Sequence, residues 1–281
     1  MRLHSVHITE AVFFLLLWSV FSLSGPPSLS ASPRPGAQKS EEASMTILYD
    51  NNCFDPRLKT AWGFSCVVRG LEKTILFDTG GDGYTLLGNM RQLGVEPTEV
   101  DMVVLSHIHG DHTGGLERFL EKNSRVVVFL PASFPETFKK AVESLGAHVE
   151  GVFEPRELFP GAYTTGEIGD GIREQALALE TASGLVVITG CAHPGIVRMV
   201  RKAREITDEE KVYLVVGGFH LGGEPPSRIE SIAEELRRLS VQKVAPCHCS
   251  GDGTRKRFKE KFGPDYLDSG VGKRIDFPSL R

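Results

Sequence analysis

From residue 46 to the C-terminus, short unbroken apolar runs alternate with stretches in which apolar residues return every three or four positions. The runs predict buried strands over 46–49, 102–105, 125–130, 176–180, 185–188, 212–216 and 242–245, because a strand covered on both faces needs no polar side. Residues 64–69 and 74–77 flank Gly70-Leu71-Glu72-Lys73 and read as a hairpin. The longer spacing predicts helices over 84–93, closed by Gly94, over 116–121, and over 135–145, ending at Gly146. Another helix starts with Pro194 at its first position and carries Val197, Val200, Ala203 and Ile206 on one face. Ser227-Arg228-Ile229-Glu230 reads as a capping box. It opens a helix whose apolar face is Ile229, Ile232, Ala233, Leu236 and Leu239, and 255–261 forms a last, basic helix. Residues 150–184 hold several short strands, and His148 before them is placed in a solvated turn. Strands broken by helices run through twice without a solenoid-type repeat, an α/β pattern.

The first 44 residues have a different composition. Arg2, His4 and His7 precede an apolar stretch over 11–23 that is too short for a comfortable membrane span and suits a signal peptide. Residues 1–31 are therefore read as a leader, 32–44 as a Pro/Ser/charged linker, and 45–281 as the catalytic domain. Export, to the periplasm or beyond, follows from that reading. The alternative is a true start at Met45 with cytoplasmic residence. With 32 basic against 36 acidic side chains, nothing calls for nucleic acid as a bulk partner. No membrane association is expected beyond an uncleaved leader. Five cysteines cannot all pair, and Cys191, Cys247 and Cys249 lie beside candidate ligands, so this is not a disulfide scaffold.

The chemistry concentrates in Ser106-His107-Ile108-His109-Gly110-Asp111-His112. His107 and His109 are two apart at a strand end, so both rings point the same way. Asp111 and His112 follow across Gly110, where the chain can turn into a helix. Ligands offered from two levels of one loop suit two divalent metals side by side, and imidazole with carboxylate suits zinc, iron or manganese. His193 follows its strand as His107 does, and His248 follows the last strand. Asn51, in the turn cluster Asp50-Asn51-Asn52, is a candidate substrate contact.

Preceded by Phe77-Asp78-Thr79-Gly80, this motif resembles the metallo-β-lactamase fold superfamily. Thr189-Gly190-Cys191-Ala192-His193-Pro194-Gly195, Gly217-Gly218-Phe219-His220-Leu221 and Pro246-Cys247-His248-Cys249-Ser250-Gly251 narrow the likeness. Together they resemble the branch of 7,8-dihydropterin-6-methyl-4-(β-D-ribofuranosyl)aminobenzene-5′-phosphate synthases, over about residues 45–281. The resemblance implies a four-layer αββα sandwich of the metallo-β-lactamase type with every ligand at a strand's C-terminal edge. It implies two divalent ions, zinc with iron or manganese as alternatives, held by His107, His109, Asp111, His112, His193 and His248. Asp78 would order the ligand loop from beneath, a turn-capping aspartate being the plainer alternative. His220 would contact the substrate, protonate a leaving group or join the metal. Two departures stand out. Cys191 occupies the place of a carboxylate that bridges two metals elsewhere in the superfamily; it is read as a small buried thiol beside the site, with ligation as the alternative. Trp62 stands where the branch carries a histidine.

A metal pair supplies a hydroxide near neutral pH and polarises the electrophile's oxygen, with Asp111, His220 and Asp78 as the catalytic side chains. No Gly-x-Ser-x-Gly elbow is present. The expected activity is that of a metal-dependent hydrolase or transferase on a small phosphorylated substrate, pterin-like by the resemblance. A thioester or lactone hydrolase of the glyoxalase II kind, an oxygen-reactive iron protein and a non-catalytic binding protein are the alternatives. Arg255 and Lys256 open a basic helix after His248, and its start is expected to face the metals and hold a phosphate, against the plainer reading of a solvated basic face.

Overall fold

The computed structural model describes residues 43–281. The leader and all but the last two residues of the linker fall outside them.

Among the described residues, thirteen strands form two sheets. The first is built from β1 (Ser44–Tyr49), β2 (Ser65–Arg69), β3 (Ile75–Phe77), β4 (Met102–Val104), β5 (Val127–Pro131) and β6 (His148–Val152) in that order. The second runs through β7 (Arg156–Phe159), β8 (Ala162–Thr164), β9 (Leu177–Thr181), β10 (Gly184–Thr189), β11 (Val212–Gly218) and β12 (Val241–Cys247), again as neighbours. β13 (Arg274–Asp276) returns to pair with β1. Alternation along the strands sorts side chains into three apolar layers. Met45, Ile47, Phe77 and Val104 meet Val186, Ile188, Leu214 and Val216 between the sheets. Leu48, Leu76 and Val103 face outward beneath the helices α1 (Gly83–Gln92), α2 (Gly110–Thr113), α3 (Leu116–Leu120) and α4 (Glu136–Ser144), of which α1, α3 and α4 contribute apolar residues to that layer. Leu185, Val187, Val212 and Val215 face the opposite way, under α5 (Ile196–Thr207), α6 (Pro226–Arg238) and α7 (Asp252–Phe262). This is the αββα sandwich, with apolar burial in every gap between layers.

Several elements differ from the sequence-based expectation. Ala43 is fully buried and its carbonyl accepts from Phe277 N at 2.9 Å, so the fold takes in the last residues of the linker stretch. His148 begins β6, paired with Val127, although its ring is exposed and bonded to Glu150. Pro194 lies outside α5, which starts at Ile196 after Gly195. The Gly195 N–H is spent on Ala192 O at 2.8 Å, a turn that consumes Pro194 in the ligand loop. Ser227 caps nothing. Pro226, its φ preset for a first helical position, starts α6 one residue earlier. Among the described residues no helix is long and apolar enough to cross a membrane.

Candidate metal centre

β3, β4 and the parallel trio β10, β11 and β12 end at one edge of the sandwich, and β1, antiparallel to β2, ends there too. Asp78 ends β3, and the loop from Ser106 to His112 follows β4. Cys191 and His193 follow β10, His220 follows β11, and His248 follows β12. Four of these connections use backbone conformations that side chains disfavour. Asp78, Ala192, His220 and His248 have φ of 54°, 61°, 51° and 47°. Such residues persist only where surroundings over-determine them, and they cluster at functional sites.

The ligand atoms of His107, His109 and His193 lie within 4.8 Å of one another, and so do those of Asp111, His112 and His248. His107, His112 and His248 are essentially buried. Each has one ring nitrogen held by a protein partner. His107 Nδ1 meets Ser106 Oγ at 2.9 Å, His112 Nδ1 meets Asp78 Oδ2 at 2.7 Å, and His248 Nδ1 meets Asn51 Oδ1 at 3.0 Å. Their other nitrogens are turned into a shared space. His112 Nε2 stands 3.2 Å from His248 Nε2, and His107 Nε2 stands 3.1 Å from His109 Nδ1. His193 Nε2 is buried with no hydrogen-bond partner at all. Nitrogen lone pairs crowded together while the opposite nitrogens are tied down is the arrangement metal-binding histidines adopt. The residues fit divalent metals on that ground.

Electrostatics agree for His107 and His193. Burial, then the neighbouring imidazoles, holds His107 well below the ordinary histidine range and brings His193 down to about 4, so both rings are neutral donors at pH 7. Burial also disfavours the charged ring of His112, but Asp78 beneath it outweighs this and its pKa is raised. Burial would raise the Asp111 carboxyl as well, yet the hydrogen bond to His248 and the charges of His112 and His248 carry it well below the usual carboxylate range. Cys249 is drawn down by the Cys191 thiol, with burial opposing and His220 assisting. Cys191 is pushed up by Cys249 first and by burial second. The same Cys249 sulfur, against burial, raises His220.

Buried braces that the sequence does not announce hold the loops. Glu174 Oε1 accepts from the N–H groups of Cys191 and Ala192 at 2.9 and 2.8 Å, and its Oε2 accepts from His193 N at 2.8 Å. Burial raises its pKa, with those three donors opposing. Asp50 accepts from His248 N at 3.1 Å and from Asn52 N at 2.6 Å. Asp78 Oδ1 accepts from Ser106 N at 2.6 Å and Oδ2 from Ser106 Oγ at 2.7 Å. Only Asp78 carried a motif that pointed to it. Glu174 precedes an apolar run as any strand-end acid does, and Asp50 reads as a turn residue.

Two of the expected substrate contacts make hydrogen bonds within the chain, and a third is exposed. The Asn51 amide is spent on His248, accepting from Nδ1 and donating to the carbonyl at 3.3 Å, which orients the ring instead of leaving the amide free for a ligand. Arg255 donates to Asn52 Oδ1 at 2.7 Å and Ser269 O at 3.0 Å, so its guanidinium ties α7 to the β1 loop. Lys256 is exposed one position further on. Trp62 does stand at the mouth, 60% exposed, its ring 4.9 Å from that of His248.

A model of the Metallo-beta-lactamase superfamily matches residues 63–248. The chain belongs to this superfamily of metal-dependent proteins and is an enzyme of it. It is 34% identical over 252 residues to the 7,8-dihydropterin-6-methyl-4-(beta-D-ribofuranosyl)-aminobenzene-5'-phosphate synthase of Methanocaldococcus jannaschii, a match covering 74% of this chain and 86% of the relative. Among solved structures it is similar to Tm1679, a metal-dependent hydrolase of the beta-lactamase superfamily. The TM-score is 0.70 at 28% identity, over 84% of this chain and 99% of that one. A diphosphatase from the PhnP family shares the fold at TM-score 0.59 and 15% identity, over 85% and 99% of the two chains.

Proposed function

We propose that the chain cleaves a phosphorus–oxygen bond of a small phosphorylated, pterin-like substrate, by hydrolysis or by transfer to an acceptor, using two divalent ions, zinc in the native state. The observation that carries the metal half is the pair of donor triads with converging ligand atoms, in which His107, His112 and His248 each have the other ring nitrogen fixed from behind. His107, His109 and His193 would hold one ion; Asp111, His112 and His248 would hold the other. What supports the substrate class is the archaeal relative, whose name specifies both a pterin and a 5'-phosphate.

Ions held there supply an activated water and a Lewis acid for the electrophile's oxygen. The remaining work falls to side chains. Asp78 and Asn51 fix the tautomers and tilt of His112 and His248. His220, exposed at the rim with its ring 4.2 Å from that of His193, holds its proton to higher pH than an ordinary histidine and delivers it to the leaving oxygen. Trp62 gives a flat ring system a face to stack on beside His248.

The test is metal quantification followed by a phosphodiester, thioester and lactone panel. Metal-dependent turnover of the phosphodiester is expected, with His220→Ala losing most on the substrate with the poorest leaving group. Turnover confined to the thioester or the lactone overturns the reading.

A further inference from the structure

One group at the centre of the pocket has no part in the reading above: the sulfur of Cys191. Its surroundings differ from those of the other buried thiols. Cys66 and Cys247 sit in the apolar layer between the sheets, as small hydrophobes do. Cys191 belongs to none of the three apolar layers. Its Sγ lies 3.2 Å from His112 Nε2. It is the donor common to three groups whose ligand atoms fall within 4.8 Å: with His107 and His112, with His193 and His220, and with His248 and Cys249. It therefore reaches across the division between the two donor triads.

The backbone is arranged to put it there. Glu174 gathers the N–H groups of Cys191, Ala192 and His193 on the far side, which aims the Cys191 side chain into the pocket. Ala192 adopts its left-handed φ of 61° in the same turn. Gly190 and Gly218 carry no Cβ where one would collide with Ser106 on one side and with Cys249 and Cys191 on the other. Cys249 Sγ rests 3.7 Å from the Cys191 carbonyl, which makes it a positioning residue for the loop.

We propose that Cys191 is a thiolate ligand shared by both metal ions, and that this sulfur selects zinc, cobalt(II) or iron(II) over manganese and magnesium. The inference rests on the two-metal reading and adds the donor that joins the two halves. On binding, the S–H bond breaks, the proton leaves to solvent and the sulfur lone pairs pass to the ions. The Cys249 sulfur, burial and the nearby carboxylates favour the Cys191 thiol, but a divalent cation reverses that balance and deprotonates a coordinating thiol outright. Soft thiolate ligation disfavours the hard ions that prefer all-oxygen sites.

The test uses the full chain loaded with cobalt(II). Two ions per chain and a near-ultraviolet sulfur-to-cobalt charge-transfer band are expected, and Cys249→Ser should keep the band. Cys191→Ser should lose the band and retain at most one tightly held ion. Cys191→Asp should regain two ions without the band, and in competition between zinc and manganese should move at least about tenfold toward manganese. Two cobalt ions bound by the unaltered chain without the band would overturn the proposal, and so would a band that survives Cys191→Ser and Cys191→Asp. A chain that takes no cobalt overturns the two-metal reading and this one with it. Cobalt bound with the band but without phosphodiester turnover leaves the thiolate standing and overturns only the substrate class.

Discussion

The two sheets deliver their donors to the same edge by different means. The first sheet supplies His107, His109, Asp111 and His112 from one loop after β4, and its brace, Asp78, comes from the neighbouring strand β3. Backbone geometry alone brings these groups close. The second sheet supplies Cys191, His193, His220 and His248 from the ends of three parallel strands, with nothing in the local chain to hold them together. Each depends on a distant brace: Glu174 for Cys191 and His193, Asp50 and Asn51 for His248. Ser250 Oγ, accepting from Phe219 N at 3.1 Å, ties the loop of His220 to that of His248. One half of the centre is a local motif; the other exists only once the sandwich has packed.

The largest effect belongs to the local half. His107→Ala and His112→Ala should each lower kcat/KM by about 10^3-fold, since a lost ion forfeits several kcal/mol of charge stabilisation. The fold should survive, because the loop is held by Asp78 and Ser106. Metal content and circular dichroism check this, and full metal content in either variant would contradict the assignment. In the second half, a brace is the sensitive element. Glu174→Ala orphans three backbone N–H groups, each lost partner costing about 1–3 kcal/mol. A loss of at least about 3 kcal/mol in urea unfolding is therefore expected, together with release of the ion held through His193. A variant with unaltered stability would show that water takes over those donors.

This division also marks what was legible in the sequence. The motif from His107 to His112 announces its own geometry, because strand-end alternation and the turn at Gly110 are local rules. The buried strands were equally plain, since continuous apolar runs covered on both faces have few other places to go. Glu174 and Asp50 were not legible. A buried carboxylate that collects backbone N–H groups looks in sequence like any polar residue at a strand end. Arg255 illustrates the converse case. A basic helix start invites an anion, and the long-range contacts of its two terminal nitrogens with Asn52 and Ser269 carry no local signal.

Acid should separate the halves as well. His193 has its pKa lowered to about 4, first by burial, so the unfolded chain takes up a proton there between pH 6.5 and about 4 while the folded chain does not. Its contribution to stability is therefore lost as pH falls through that window. His112 has the opposite sign, its pKa raised by Asp78. In the presence of a chelator, His193→Gln should flatten the fall in urea midpoint between pH 6.5 and 4 relative to the unaltered chain. An unchanged slope would show that His193 takes up its proton in the folded chain as well. Asn51→Ala should cost less than any ligand, about tenfold in metal affinity or turnover, since it removes only the partner that orients His248. Loss of both ions would make Asn51 more than an orienting group.

The smallest effect tests the basic helix start. Arg255 bridges α7 to Asn52 and Ser269 from a half-buried position, whereas Lys256 projects into solvent beside it. Arg255→Ala should destabilise the fold by about 1.5–3 kcal/mol, the range for a hydrogen bond to a charged group. Its effect on KM should be no greater for a phosphorylated substrate than for a neutral ester of similar size. Lys256→Ala should change stability by no more than about 0.5 kcal/mol, as exposed substitutions do, and should leave both KM values alone. A rise in KM confined to the phosphorylated substrate in Lys256→Ala would return this helix start to the pocket.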